Sequence, residues 1–203
     1  ILSGLVGSEM CIRDRLSATN YDIAIIDRDV PGKHASYKAG GMLGAQNEFT
    51  EDNDLYKLAI ESRGMFPKLS ESLLNETGID IQFKDSGLIK IANQEDDLES
   101  LTRQYEFHRQ MDSSVKLLSN DELIQLTNAN VEPAYGAIHI PSDGQINANK
   151  YTKALFKSLQ QHYITRYYHQ EVQSIDRRNG YYAVCTDQMS PIEAHKVLSL
   201  IHI

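Results

Sequence analysis

Two places in this 203-residue chain combine residue types that can do chemistry. The first is Asp27, which closes the run Tyr21-Asp22-Ile23-Ala24-Ile25-Ile26. A short isoleucine-rich run ended by an acid reads as a buried parallel strand. In doubly wound nucleotide-binding folds, an acid at that point accepts hydrogen bonds from the ribose hydroxyls of an adenine dinucleotide. The plainer reading is a solvated carboxylate at a strand end, and Asp27 alone does not separate the two. The ribose reading also needs a glycine-rich phosphate turn about 20 residues earlier, where backbone N–H groups meet a pyrophosphate at a helix N-terminus. Gly4-Leu5-Val6-Gly7 is not G-x-G-x-x-G, and Val6 and Glu9 stand about where the later glycines belong.

The second place is Lys38-Ala39-Gly40-Gly41-Met42-Leu43-Gly44-Ala45. It is too glycine-rich for a regular helix and too apolar for a solvated loop. One reading is a turn packed under a helix. The other is backbone passing close to a flat ring, with Met42 pressing a polarizable side chain toward it.

Other constellations carry less. The seven histidines are scattered without metal-ligand spacing, and His139, in an apolar strand, reads as a structural residue. No G-x-S-x-G or Ser-His-Asp order supports a hydrolase. The acids Glu95, Asp96 and Asp97 read as the first turn of a helix, where they complement its dipole.

The elements that must position these residues follow from periodicity. From Asp54, Leu55, Leu58, Ala59, Phe66, Leu69 and Leu73 recur at helical spacing up to Gly78, with a kink or split expected at Pro67. Strands are predicted over 79–83 and 87–92, then a helix marked by Leu98, Leu101, Tyr105 and His108. Ser119 with Glu122 is a capping box that starts a short helix. A strand over 137–140, a turn at Asp143-Gly144 and a helix over 148–162 come next. Asn179-Gly180 between 172–176 and 181–186 is a hairpin signal.

Composition limits the partners. The net charge of −8 argues against nucleic acid, which demands a basic surface. No run approaches the roughly 20 apolar residues of a membrane span. Cys11 and Cys185 are far apart and form no CxxC pair, which fits a reducing cytoplasm better than a disulfide framework or a structural zinc site.

In order and spacing, residues 21–27, the loop to Ser36 and the segment from Ala39 to Gln46 resemble the second strand and flavin-contacting loop of the D-amino acid oxidase family of FAD-dependent oxidoreductases, in particular its glycine oxidase branch. The likeness continues through Gly78-Ile79-Asp80-Ile81, Gly87-Leu88-Ile89-Lys90-Ile91-Ala92 and the Tyr151 helix, and covers nearly the whole chain between Leu16 and Val197. The resemblance implies an α/β fold in which a partial FAD/NAD(P)-binding Rossmann-like domain (16–75 and 144–197) is interleaved with an α+β substrate domain (76–143) containing an antiparallel sheet. It implies that Asp27 and Arg28 lie at the adenosine ribose of FAD, Ala35 and Ser36 at the phosphates, and Gly40, Gly41 and Met42 at the flavin end. Met42 would also border the substrate pocket, and the backbone of Val172 would hold the adenine edge.

The activity implied is oxidative deamination of glycine or a similar small amino acid to an oxo acid, ammonia and hydrogen peroxide, in thiamine (thiazole) biosynthesis. The implied partners are that substrate and oxygen, the intact enzyme being a homo-oligomer. Alternatives are a sarcosine or D-amino acid oxidase or dehydrogenase of the same family, or a truncated fragment without catalysis. The family's substrate-carboxylate arginine is expected beyond Ile203, and neither Arg103 nor Arg109 is assigned to it. The ends depart from the pattern. Residues 1–15 read as a non-native leader resembling translated sequencing adapter, and 198–203 as a tail of the same kind.

Overall fold

The computed structural model describes residues 2–4, 21–29, 35–128, 130–132 and 134–200. In chain order the first elements are β1 (Leu2–Gly4), β2 (Ala24–Asp27), α1 (Ala35–Lys38), β3 (Met42–Leu43), α2 (Asp54–Thr77), β4 (Leu88–Ala92), α3 (Asp97–Met111), β5 (Lys116–Leu118) and α4 (Asn120–Thr127). They are followed by β6 (Gly136–Ile140), β7 (Gly144–Gln145), α5 (Ala148–Gln161), β8 (Thr165–Tyr168), β9 (Val172–Arg178), β10 (Tyr181–Thr186), β11 (Ile192–Ala194) and β12 (Leu198–Leu200). The chain divides into two compact units, one of 1–40, 71–81 and 147–203, the other of 41–70 and 82–146.

The first unit is built on a parallel sheet of order β12-β1-β2-β8. Ile25 and Ile26 of β2 are buried in it, as a strand covered on both faces requires. α5 buries Ala154, Leu155 and Leu159 along one stripe, set by their helical spacing. α5 and its C-cap His162 tie down the end of α2: Lys157 Nζ donates to the Thr77 carbonyl at 2.6 Å, and Ser158 Oγ and His162 Nε2 meet the Glu76 carboxylate at 2.7 and 3.0 Å. A cation on the last carbonyls of a helix satisfies groups that no amide can reach. An antiparallel sheet, β11-β10-β9, completes this unit, its hairpin turning at Asn179 and at Gly180, whose φ is +90°.

The second unit holds an antiparallel sheet of order β4-β6-β5 and the short pair β3-β7. Ala92, Leu101, Val115, Ile138 and Ile140 form a core with α3 over that sheet, and Leu118, Leu123 and Ala137 form a second cluster. The capping box at α4 is present in full, with Ser119 Oγ accepting from the Glu122 N–H and the Glu122 carboxylate accepting from the Ser119 N–H.

The architecture is the mixed α/β arrangement with antiparallel sheets that the family resemblance implies. Several local expectations are corrected. Residues 79–83 make no strand, because Gln82 has φ +56° and breaks the extended run; a single bridge joins Lys84 to Gln145 instead. α2 is not split at Pro67 but runs unbroken for 24 residues. β8 has no alternating apolar signal, since it carries Arg166. That guanidinium donates to the carbonyls of Leu159 and His162 at 2.7 and 3.0 Å, closing the C-terminal end of α5. Residues 2–4 and 198–200 form β1 and β12, paired to each other in the parallel sheet, which leaves the reading of their segments as leader and tail untouched.

Candidate functional site

Asp27 ends β2 with 7% exposure, and its Oδ1 accepts the Asp29 N–H at 2.8 Å. Its carbonyl accepts from the Gln170 N–H at 3.0 Å, which ties the end of β2 to the turn after β8. A carboxylate fixed in this way at the end of a parallel strand is pre-oriented to accept a second pair of hydrogen bonds. Arg28 is exposed, its Nε 3.8 Å from the Asp29 carboxylate. Tyr168 is Asp27's partner in register, and its buried hydroxyl meets no hydrogen-bond partner among the described residues. Burial pushes its pKa up, and the Asp27 carboxylate adds to the rise, against the opposing pull of Arg166.

Ala35 and Ser36 open α1, the first exposed and the second half-buried. α1 packs on α5, where Lys153 Nζ stands 5.8 Å from the centre of the Tyr37 ring. Gly40 has open space where a side chain would be. Gly41 has φ +79°, a conformation that side chains rarely adopt, and its carbonyl accepts the Ile146 N–H at 2.8 Å. Met42 is 68% exposed and is paired across β3 and β7 with Gln145. Val172 starts β9, half-buried, opposite Thr186. Of these residues Asp27, Arg28, Ala35, Ser36, Gly40 and Val172 belong to the first unit, and Gly41 and Met42 to the second. Within the first unit, the anchored acid at a strand end and the open backbone at Gly40 suit a dinucleotide, so the residues present there fit FAD. The expected pyrophosphate turn, with Val6, Gly7 and Glu9, lies outside the described residues.

The second unit also holds a polar cluster that no sequence spacing announces. Arg63 Nη1 donates to Gln46 Oε1 at 2.7 Å and to Asp143 Oδ1 at 2.5 Å. Gln46 Nε2 donates to Asp112, and Gln104 Nε2 donates to the carbonyls of Gln46, Asn47 and Phe49. Burial pushes the Asp112 carboxyl up, but hydrogen bonds from Ser114, Ser142 and Gln46 together outweigh it and hold the pKa at about 2. His108 is fully buried beside the rings of Tyr56 and Phe107, with no partner of hydrogen-bond geometry for either nitrogen among the described residues. The hydrogen bonds among Gln46, Arg63, Asp112 and Asp143 span 17 to 97 positions, too far for any local pattern to reveal. His139 is half-buried, and burial followed by the Lys116 charge lowers its pKa.

Residues 14–198 match the DAO family, FAD dependent oxidoreductase. The chain belongs to this family of FAD-dependent oxidoreductases. Among its relatives is a glycine oxidase of Geobacillus kaustophilus (strain HTA426), 37% identical over 153 residues, a match covering 75% of this chain and 40% of that protein. A glycine oxidase of Bacillus subtilis (strain 168) is 29% identical over 157 residues, covering 76% and 40%. The crystal structure of glycine oxidase from Geobacillus kaustophilus superposes with a TM-score of 0.91 at 32% identity, covering 98% of this chain and 54% of that one. The chain therefore spans about half the length of the glycine oxidases it matches. This family is one of oxidoreductases whose cofactor is FAD. Among the described residues no helix is long and apolar enough to cross a membrane, and no group of three or more His, Cys, Asp or Glu residues is placed to hold a metal ion.

Proposed function

We propose that the whole protein of which this chain is a part oxidatively deaminates glycine or a similarly small amino acid, consuming oxygen and water and releasing an oxo acid, ammonia and hydrogen peroxide. The observation that carries this reading is the likeness to glycine oxidases in both sequence and structure. FAD, when bound, supplies the electron-accepting chemistry. The chain's own residues hold and orient it: the Asp27 carboxylate accepts the ribose hydroxyls beside Arg28, and α1 presents Ala35 and Ser36 to the phosphates. Gly40 and Gly41 let the backbone approach the ring, Val172 holds the adenine edge through its amide and carbonyl, and Met42 forms an apolar wall of the substrate pocket. The setting proposed is the cytoplasm, with the imine product feeding thiazole formation for thiamine.

The test is a substrate panel on the full-length protein loaded with FAD. Peroxide released from glycine faster than from sarcosine or D-alanine supports the reading. A flavin-saturated protein that reduces no oxygen with any of the three would sink it, and preference for sarcosine or D-alanine would transfer it to that branch of the family.

A further inference from the structure

A pocket of about 310 Å³ opens in the second unit beside the middle of α2, lined by Arg63, Gly64 and Pro67 of that helix and by Phe83, Asp85 and Ser142 among others. Gly64 and Pro67 are the two residue types least suited to a helix interior, and both stand on this wall. A Cβ built on Gly64 meets nothing within 4 Å, so the missing side chain leaves open space rather than close helix packing. Pro67 has no N–H, so the Arg63 carbonyl receives no i→i+4 bond within the helix. Arg63 makes both of its hydrogen bonds through Nη1. Its Nε and Nη2 bond to no described residue, and neither is among the sealed, unpartnered atoms.

The pocket therefore carries two kinds of polar edge. The outer edge of the Arg63 fork offers N–H donors that suit a carboxylate. The Asp85 carboxylate, the Arg63 carbonyl and Ser142 Oγ, whose proton goes to Asp112 Oδ2 at 2.7 Å, offer acceptors that suit an ammonium group. A bare anion would meet Asp85, and a bare cation would meet Arg63. A ligand carrying both charges on a short carbon skeleton meets both, with Phe83 and Pro67 as apolar walls. We propose that this pocket binds a small zwitterion, its carboxylate on the outer edge of Arg63 and its ammonium on Asp85 and the Arg63 carbonyl. The site is independent of the flavin and of the oxidase reading, since no residue of it is drawn from the proposed FAD contacts.

The test is a titration of the ¹⁵N-labelled 203-residue chain with glycine, β-alanine, acetate and ethylamine, followed at the amides of Gly64, Asp85 and Gly144. Glycine or β-alanine is expected to saturate those shifts with a Kd of about 1–10 mM, as suits a ligand of so few atoms. Acetate and ethylamine are expected to bind at least about fivefold more weakly, the scale of one solvent-exposed charge pair. Asp85 is exposed, so Asp85→Asn keeps the fold and should erase the advantage of glycine over acetate. Gly64→Leu, a better helix former that fills the pocket, should abolish the shifts. Absence of saturable shifts at these amides, equal binding of acetate and glycine, or undiminished zwitterion binding in either variant overturns the proposal.

Discussion

Arg63 Nη1 and Asp143 Oδ1 stand 2.5 Å apart, the arginine side chain 16% exposed and the aspartate fully buried. The two residues are 80 positions apart in sequence, and the same aspartate accepts the backbone N–H groups of Gln46 and Asn47 at 3.2 and 3.1 Å. Asp143 therefore joins α2, the loop after β3 and the β6–β7 turn within the second unit. Every one of its partners donates, as an ionised carboxylate requires.

Asp143→Leu should destabilise the chain by about 3–5 kcal/mol, because it strips the counter-charge from a largely buried guanidinium. Replacing the pair together, as Arg63→Met with Asp143→Leu, should cost markedly less than the sum of the single changes, since no charge is then left unpaired. Urea unfolding of the four proteins measures the coupling. Additive losses would show that the pair does not hold the second unit together.

Stability should have an acid limb in two steps. Burial lowers the pKa of His108 from its ordinary 6.5, while the Phe49 and Gln46 carbonyls and the Asp143 carboxylate oppose that shift without reversing it. The folded form keeps the ring neutral, and the unfolded chain takes up the proton as pH falls below about 6.5. The contribution is therefore complete above that pH and declines below it. Asp112 is held at about 2 against an ordinary 3.8, so its contribution is complete above roughly pH 4 and is lost toward pH 2. His108→Met should flatten the urea midpoint between about pH 7 and 5 and leave the lower step in place. An unchanged slope in that range would remove His108 as its cause.

Gly87→Ala should destabilise by at least about 1–3 kcal/mol. The position has φ +73°, and an added Cβ would stand 2.9 Å from His139 Nε2 and 3.2 Å from the Ile140 carbonyl. The β4–β6 pairing that brings His139 and Ile140 opposite Ile89 and Leu88 leaves room only for glycine beside them. Thermal unfolding checks it. A Tm equal to that of the parent would mean the strand end yields without cost.

The 203-residue chain should purify without the yellow of bound flavin. In the sequence, Val6 and Glu9 fall about where the G-x-G-x-x-G pattern has its later glycines, and an acid in that pattern would oppose a pyrophosphate. Absorbance across the flavin bands after gel filtration with excess FAD reads the outcome. Stoichiometric flavin would show that the Asp27 and Gly40-Gly41 contacts suffice without that turn. In that case Asp27→Ala should weaken FAD binding by about tenfold or more, the loss of hydrogen bonds to a charged acceptor.

What was legible in the sequence is what short-range physics dictates. The isoleucine run to Asp27, the capping box at Ser119 and the Asn179-Gly180 turn each depend on a few neighbouring residues, and each stands in the structure where the pattern puts it. The order and spacing of such elements was enough to identify the family. Strands without an apolar alternation were not legible: β8 is a strand because β2 lies beside it and α5 covers its arginine, not because Thr-Arg-Tyr-Tyr prefers to be one.

The tertiary structure alone decided the polar interior of the second unit. Arg63, Gln46, Asp112 and Asp143 look like surface residues in sequence, since charged and polar side chains usually stay in water, whereas His108 falls on the periodic face of its helix. Folding buries Gln46 and Asp143 and half-buries Arg63 and Asp112, because each finds a partner that compensates the lost hydration, and those partners come from distant segments. A hydrogen bond between residues 66 or 80 positions apart leaves no periodic trace. The sequence by itself thus determined the helices, the turns and the acid that ends β2. Long-range pairing, which exists only once the sheets have closed, determined which charges are inside and what the pocket beside Arg63 offers to a ligand.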